Sequence, residues 1–174
     1  MSHKLCWYGS HAYLNEYIIE HKCKRIMEIG VYNGENAVSM IKAALENHPA
    51  SSVEYIGFDF YNHYSKQEIA GKLERLGCKY RLIQGNTLET IPESVPVLPK
   101  MDLIFIDGGK SFQVAQSDWV SSSMLMHHDT GVFVHNVGFS GVGQMMENVS
   151  REKYLVEVFT PRFEGKVALI RRKT

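Results

Sequence analysis

Acidic, amide and cationic residues recur in this 174-residue chain where short apolar runs end. The first such place is Glu28-Ile-Gly30-Val-Tyr32-Asn-Gly34. Two glycines at this spacing let the backbone turn tightly and approach a ligand, and the N-terminus of a following helix faces the same spot. The pattern lacks the third glycine of a dinucleotide pyrophosphate site. Glu28 would repel a phosphate and suits a cationic ligand or one bearing amine and hydroxyl groups. Asp59, in Gly57-Phe-Asp-Phe60, is an acid of the kind that accepts both hydroxyls of a ribose. Asn86, in Gly85-Asn-Thr87, offers an amide that can read an adenine edge or cap a helix. Asp107-Gly-Gly-Lys110 places an acid and a lysine around a backbone opened by two glycines. His135 and Asn136 follow the last of these runs and lead into a loop over 137–143 with three glycines.

The runs themselves are Arg25–Ile29, Val53–Phe58, Tyr80–Ile83, Asp102–Ile106 and Gly131–Val134, each of strand length and composition. Helical patterns lie between them over 35–47, 66–76 and 112–126, with Gly77 as a helix stop. The segment 87–99 contains three prolines and has room only for a short helix. Alternation of this kind predicts βαβ units and a parallel, doubly wound α/β sheet covered on both faces. An amphipathic helix is predicted over 11–24, with Ala12, Leu14, Tyr17, Ile18 and Ile19 on its apolar face. Two further runs, Tyr154–Thr160 and Lys166–Arg171, are joined by a short turn-rich loop, so seven strands are expected and the last two form an antiparallel hairpin. In an open sheet of this class, ligands bind beyond the carboxyl ends of the strands, which is where the polar residues fall.

Composition narrows the function. The chain reads as one domain over 1–174, with 1–24 a helical cap and 25–174 the core. Nineteen basic against nineteen acidic residues leave no overall positive field, which argues against electrostatically driven nucleic-acid binding. No apolar stretch reaches the ~20 residues of a membrane helix, and the N-terminus lacks the apolar run of a signal peptide. Three widely spaced cysteines suggest neither a disulfide framework nor a metal site, so the cytoplasm is the expected compartment.

Residues 28–38, Glu-Ile-Gly-Val-Tyr-Asn-Gly-Glu-Asn-Ala-Val, resemble the first motif of class I S-adenosylmethionine-dependent methyltransferases, especially the catechol O-methyltransferase-like branch. Residues 102–112 are similar to the Asp-Gly-x-His-Ser-Tyr segment of related small-molecule methyltransferases; Asp118 falls where those proteins carry an acid, and His135-Asn136 resembles their His-Asp pair. The resemblance extends from about Arg25 to Arg172 and implies a Rossmann-like fold. It implies that Gly30, Tyr32 and Gly34 line the methionine part of the cofactor, with Glu28 near its sulfonium end. Asp59 would hold the ribose, Phe60 would lie beside the adenine, and Asn86 and Thr87 would flank it. Asp107 would border the cofactor and take part in catalysis, and Lys110 stands at the position of the catechol-type lysine base. That branch holds a magnesium ion, and Asp107, His135 and Asn136 occupy the corresponding positions. A histidine among them suits a softer divalent ion.

The function implied is methyl transfer from S-adenosylmethionine to a hydroxyl of a small-molecule acceptor. A nicotinamide-dependent oxidoreductase and a non-catalytic cofactor-binding scaffold needing a partner subunit are the alternatives, and a homo-oligomer is compatible with the short segment before the first strand. Trp7 and Tyr8 would cover the site or meet another subunit. His127 and His128 read as a solvated helix end. Trp119 reads as core, and Met124, Met126, Met145 and Met146 as core or pocket wall.

Overall fold

The computed structural model describes residues 11–162 and 164–173. Trp7 and Tyr8 lie outside these residues. The first five strands are β1 (Arg25–Ile29), β2 (Glu54–Asp59), β3 (Lys79–Gln84), β4 (Met101–Ile106) and β5 (Met126–Val134). They pair in parallel, and β6 (Tyr154–Phe159) and β7 (Val167–Arg172) add antiparallel to the β5 side. The order across the seven-stranded sheet is β3-β2-β1-β4-β5-β7-β6. The chain winds outward from β1 in one direction and restarts at β4 in the other. The loops after β1 and β4 therefore diverge at the switch point, where this class of sheet opens a crevice.

Alternation along the strands sends side chains to two separate cores. Ile26 and Tyr55 join one core with the helices α1 (Ala12–Glu20), α2 (Glu35–Leu45) and α3 (Lys66–Glu74). Met27, Ile29 and Ile56 join the other with α4 (Thr87–Ser94), α5 (Phe112–Met124) and α6 (Ser140–Glu147). α3 begins with a reciprocal capping box between Ser65 and Glu68. Tyr17 of α1 packs its ring directly over Gly131 of β5, where any side chain would collide with it. Among the described residues, no helix is long and apolar enough to cross a membrane.

Four expectations are corrected. Ala12 and Ile19 of α1 face solvent rather than the core, because the apolar stripe that packs is Leu14, Tyr17 and Ile18. His127 and His128 sit in the first part of β5, which starts five residues before Gly131 through a register shift against β4. There the His127 ring bonds Asp102 Oδ1 at 2.9 Å, while Asp102 Oδ2 accepts from the backbone amides of Lys24 and Arg25. The glycine-rich segment expected as a loop over 137–143 contributes four residues to α6, where Val142, Met145 and Met146 are buried. Its glycines masked that helical spacing. Trp119, Met126, Met145 and Met146 are core, whereas Met124 is exposed.

Candidate active site at the sheet switch point

At the end of β1 the chain turns through Gly30 at φ +91°, Tyr32 at φ +50° and Gly34 at φ +74°. Gly30 meets two demands at once. Its backbone conformation disfavours any side chain, and a Cβ there would run into the backbone carbonyl of Asp107 across the crevice. The β1 and β4 loops thus touch backbone to backbone. Asp59, at the end of β2, holds the turn in place. Its Oδ2 accepts from the amides of Val31 at 2.8 Å and Tyr32 at 2.9 Å, and its Oδ1 accepts from Tyr61 at 2.8 Å. Three of roughly four acceptor positions of this carboxylate are in use, which leaves one on the Oδ1 side. Tyr32 and Phe60, on the two neighbouring loops, are about half exposed, and Tyr32 packs edge-on against Tyr64 with ring centroids 5.0 Å apart.

Glu28, expected beside the cationic end of a ligand, faces elsewhere. Period-two alternation puts it on the same side of the sheet as Ile26, under α2. It is wholly buried; Tyr55 donates its hydroxyl to Oε2, and Asn36 Nδ2 donates to Oε1 at 2.7 Å. Burial pushes the Glu28 carboxyl up to about 8, against the lowering effect of those two hydrogen bonds. Burial, with Glu28 alongside, pushes the Tyr55 hydroxyl well above its usual range. Glu28 therefore ties the start of α2 to β1 rather than lining open space.

Asn86 caps α4, its side-chain oxygen accepting from Leu88 N at 3.1 Å, so a ligand contact would use the amide nitrogen. Thr87 is buried behind it. Asp118, on α5, is fully buried, with its Oδ2 3.1 Å from where a Cβ on Gly108 would stand. Burial pushes its carboxyl up to about 6, and Thr87 and Lys110 offset this only in part.

Across the crevice, Lys110 Nζ lies 2.5 Å from Asp107 Oδ1, and His135 Nδ1 lies 3.0 Å from the same oxygen. Burial raises the Asp107 carboxyl, but the His135 hydrogen bond and the Lys110 charge outweigh it and hold it below its usual range. Asn136, at φ +59°, puts Nδ2 3.0 Å from His135 Nδ1. Beside Asn136 opens a cleft of about 400 Å³ lined by Asn136, Gly138, Phe139, Ser140, Gly165 and Lys166.

His11 and Glu164 also reach this centre, and the sequence reading missed both. His11 Nδ1 lies 2.6 Å from Glu164 Oε2, and the His11 ring is 5.0 Å from that of His135. They stand 153 positions apart in the chain, and neither has a motif around it. Only the docking of the α1 start against the β6–β7 turn brings them together.

The donors do not fit a magnesium ion. Magnesium asks for near-octahedral oxygen ligands. Here Asp107 Oδ1 already serves a lysine and an imidazole, and His135 supplies nitrogen where an acid would be.

Compared with known proteins, residues 27–137 match the family model described as a methyltransferase domain. The chain belongs to this family. Solved structures show the same fold in this methyltransferase domain's neighbours. The O-methyltransferase TomG from Streptomyces achromogenes, involved in tomaymycin synthesis and in complex with SAM, has 17% identity and TM-score 0.78, covering 93% of this chain and 78% of that one. An O-methyltransferase from Bacillus cereus in complex with SAH has 15% identity and TM-score 0.77, covering 92% and 79%. The SAH-bound methyltransferase PaMTH1 from Podospora anserina has 18% identity and TM-score 0.67, covering 100% and 80%. No curated protein matches the chain by sequence. The expected seven-stranded, mostly parallel Rossmann-like architecture with its antiparallel C-terminal strands is the architecture of this methyltransferase domain.

Proposed function

We propose that the domain transfers a methyl group from S-adenosylmethionine to a hydroxyl of a small molecule. The observation that carries this is the crevice at the switch point. One wall is the Gly30 turn, held by Asp59; the other is the Asp107–Lys110 loop, which leads to the cleft beside Asn136. The cofactor lies along the strand ends, with its ribose on the remaining Oδ1 acceptor position of Asp59. Its adenine lies between Phe60 and the Asn86 amide, and its methionine part over Gly30, Tyr32 and Gly34. Glu28 acts at one remove, by holding α2 and therefore the turn. The solved neighbours complexed with SAM or SAH share this fold and support that choice of cofactor.

In the reaction, the acceptor oxygen attacks the methyl carbon in line with the carbon–sulfur bond. That bond breaks with its electron pair going to sulfur, which yields S-adenosylhomocysteine. The hydroxyl proton must leave, and Lys110, on the Asp107 wall of the crevice, is the candidate base. Lys110 is paired with Asp107 as an ammonium and takes the acceptor's proton only as the neutral amine, after that pair opens and one of its own protons passes to solvent. Holding donor and acceptor in line supplies much of the rate. The acceptor occupies the cleft beside Asn136, whose volume suits a small molecule.

Thermal melting with S-adenosylhomocysteine, S-adenosylmethionine and NAD tests the reading. A ligand that binds only the folded state adds RT ln(1 + [L]/Kd), ~2.7 kcal/mol at a hundredfold excess. Stabilisation by the first two and not by NAD is expected. Stabilisation by NAD alone overturns the proposal in favour of an oxidoreductase. Cofactor binding with no homocysteine release across an acceptor screen favours the scaffold.

A further inference from the structure

The sheet ends on β6, whose outer side pairs with no strand among the described residues. Lys173 N donates to Lys153 O at 3.0 Å, and the ladder between β6 and β7 runs on in that register, from Tyr154 opposite Arg172 to Phe159 opposite Val167. Hydrogen-bonded pairs alternate in an antiparallel ladder, so Lys153, Leu155, Glu157 and Phe159 turn their backbone groups to β7. The amides and carbonyls of Tyr154, Val156 and Val158 therefore point off the sheet. Natural proteins blunt such an edge with proline, inward charges, a bulge or a covering element. Tyr154–Phe159 contains no proline, carries one charge, Glu157, and pairs without a break in register. Leu155 and Val158, on opposite faces of the strand, are 46% and 56% exposed. Val120 and Met124 of α5 are exposed as well. That helix reaches the start of β6, where Trp119 meets the Tyr154 ring edge-on at 5.1 Å and Ser123 O accepts from Arg172.

An apolar, β-prone edge of this kind calls for a partner strand, and its charges say which. Lys153, just before β6 and already bonded in its ladder, and Glu157 are both exposed and flank Leu155 at equal spacing on one side of the strand. In an antiparallel pair of two copies with Leu155 on the twofold axis, each Lys153 stands opposite the partner's Glu157. Tyr154 and the partner's Val156 then exchange backbone hydrogen bonds. Centring the pair on Val156 instead sets Glu157 against Leu155 and Lys153 against Phe159, and matches no charges. Arg171 pairs with Glu157 from within the chain, so each acid would lie between two cations, and no like charges face each other.

We propose that two copies of this chain associate edge to edge through β6, antiparallel about Leu155, and join their sheets into one. The interface lies two strands outward from β5, so both crevices stay open. The inference uses nothing from the methyl-transfer reading.

Sedimentation equilibrium of the full chain up to about 1 mM tests it, with circular dichroism and thermal melting showing that each variant is folded. A monomer–dimer equilibrium is expected, and hydrogen exchange at the Tyr154 and Val156 amides slows as the dimer fills. Leu155→Lys sets two ammonium groups against each other on the axis and weakens association about tenfold or more. Lys153→Glu and Glu157→Lys each place like charges opposite one another and weaken it similarly. Mixed in equal amounts, these two variants pair with each other, because every facing pair across the mixed dimer is again opposite in sign. Glu157→Lys also loses its pair with Arg171, so the mixture rather than that variant alone decides. A chain that stays monomeric up to about 1 mM leaves the edge to a strand from another protein and overturns the proposal. So does undiminished association of Leu155→Lys, which puts the contact on another face, or a mixture that associates no better than either variant alone.

Discussion

The Tyr55 hydroxyl donates its hydrogen bond to the Glu28 carboxylate, and both side chains are enclosed between the sheet and α2. An acid in that position prefers to keep its proton. Its ordinary value of 4.5 is pushed up to about 8 by burial. Between those values the folded chain holds a proton that the unfolded chain has released, so stability falls as pH rises from about 5 to 8. Asp118, raised to about 6, adds to the same slope near its lower end. Glu28→Gln keeps the shape and removes the titration. Urea denaturation at four pH values from 5 to 8 is expected to show a flatter profile for the variant. Parallel profiles for the two proteins would refute this account of Glu28.

Asp59 links the end of β2 to the turn after β1 through two backbone amides of that turn. Asp59→Ala leaves those donors without their charged partner. The expected cost is about 1–3 kcal/mol in stability, together with loss of S-adenosylhomocysteine binding. Asp59→Asn retains a neutral acceptor and is expected to recover much of the stability but little of the binding. Denaturation and calorimetry on both variants separate the two roles, and a variant that melts lower yet binds normally would confine Asp59 to structure.

Gly30 faces the carbonyl of Asp107, and its positive φ adds a second obstacle to any side chain. Gly30→Ala must push the β1 and β4 loops apart or strain the turn, at about 1–3 kcal/mol. The expected outcome is a lower Tm and weaker cofactor binding together. Gly71→Ala, in the α3 interior with open space around it, serves as the comparison and is expected to be neutral or slightly stabilising.

Lys110 and Asp107 form the ion pair on the opposite wall. Once an acceptor is known, Lys110→Ala is expected to lower kcat by about a hundredfold or more if the lysine takes the proton, with S-adenosylhomocysteine affinity unchanged. Lys110→Arg keeps a cation for Asp107 but supplies no base at neutral pH. Full turnover in Lys110→Arg would make Lys110 a positioning residue rather than a base.

Much of this molecule is legible from local pattern. Each of the five parallel strands announces itself by a run of β-type residues, and the glycines and polar groups that follow mark the edge where a ligand lies. Those signals are local, because a strand's period and a turn's need for glycine are properties of a few consecutive residues. The 3.6-residue spacing of α6 was hidden by its glycines, and the early start of β5 by a register shift that depends on β4.

Roles of individual side chains needed the tertiary structure. Glu28 looks in the sequence like an acid at the mouth of a site. Which side of β1 it faces, and that Tyr55 and Asn36 close over it, depend on β2 and α2 being in place. The sequence by itself determined the α/β alternation, the strand-end crevice and the family. Only the folded chain decided that Asp59 braces a loop, and that His11 and Glu164 meet Asp107 and His135. Contacts between residues far apart in sequence are set by packing of the elements that carry them, and no spacing along the chain encodes that packing.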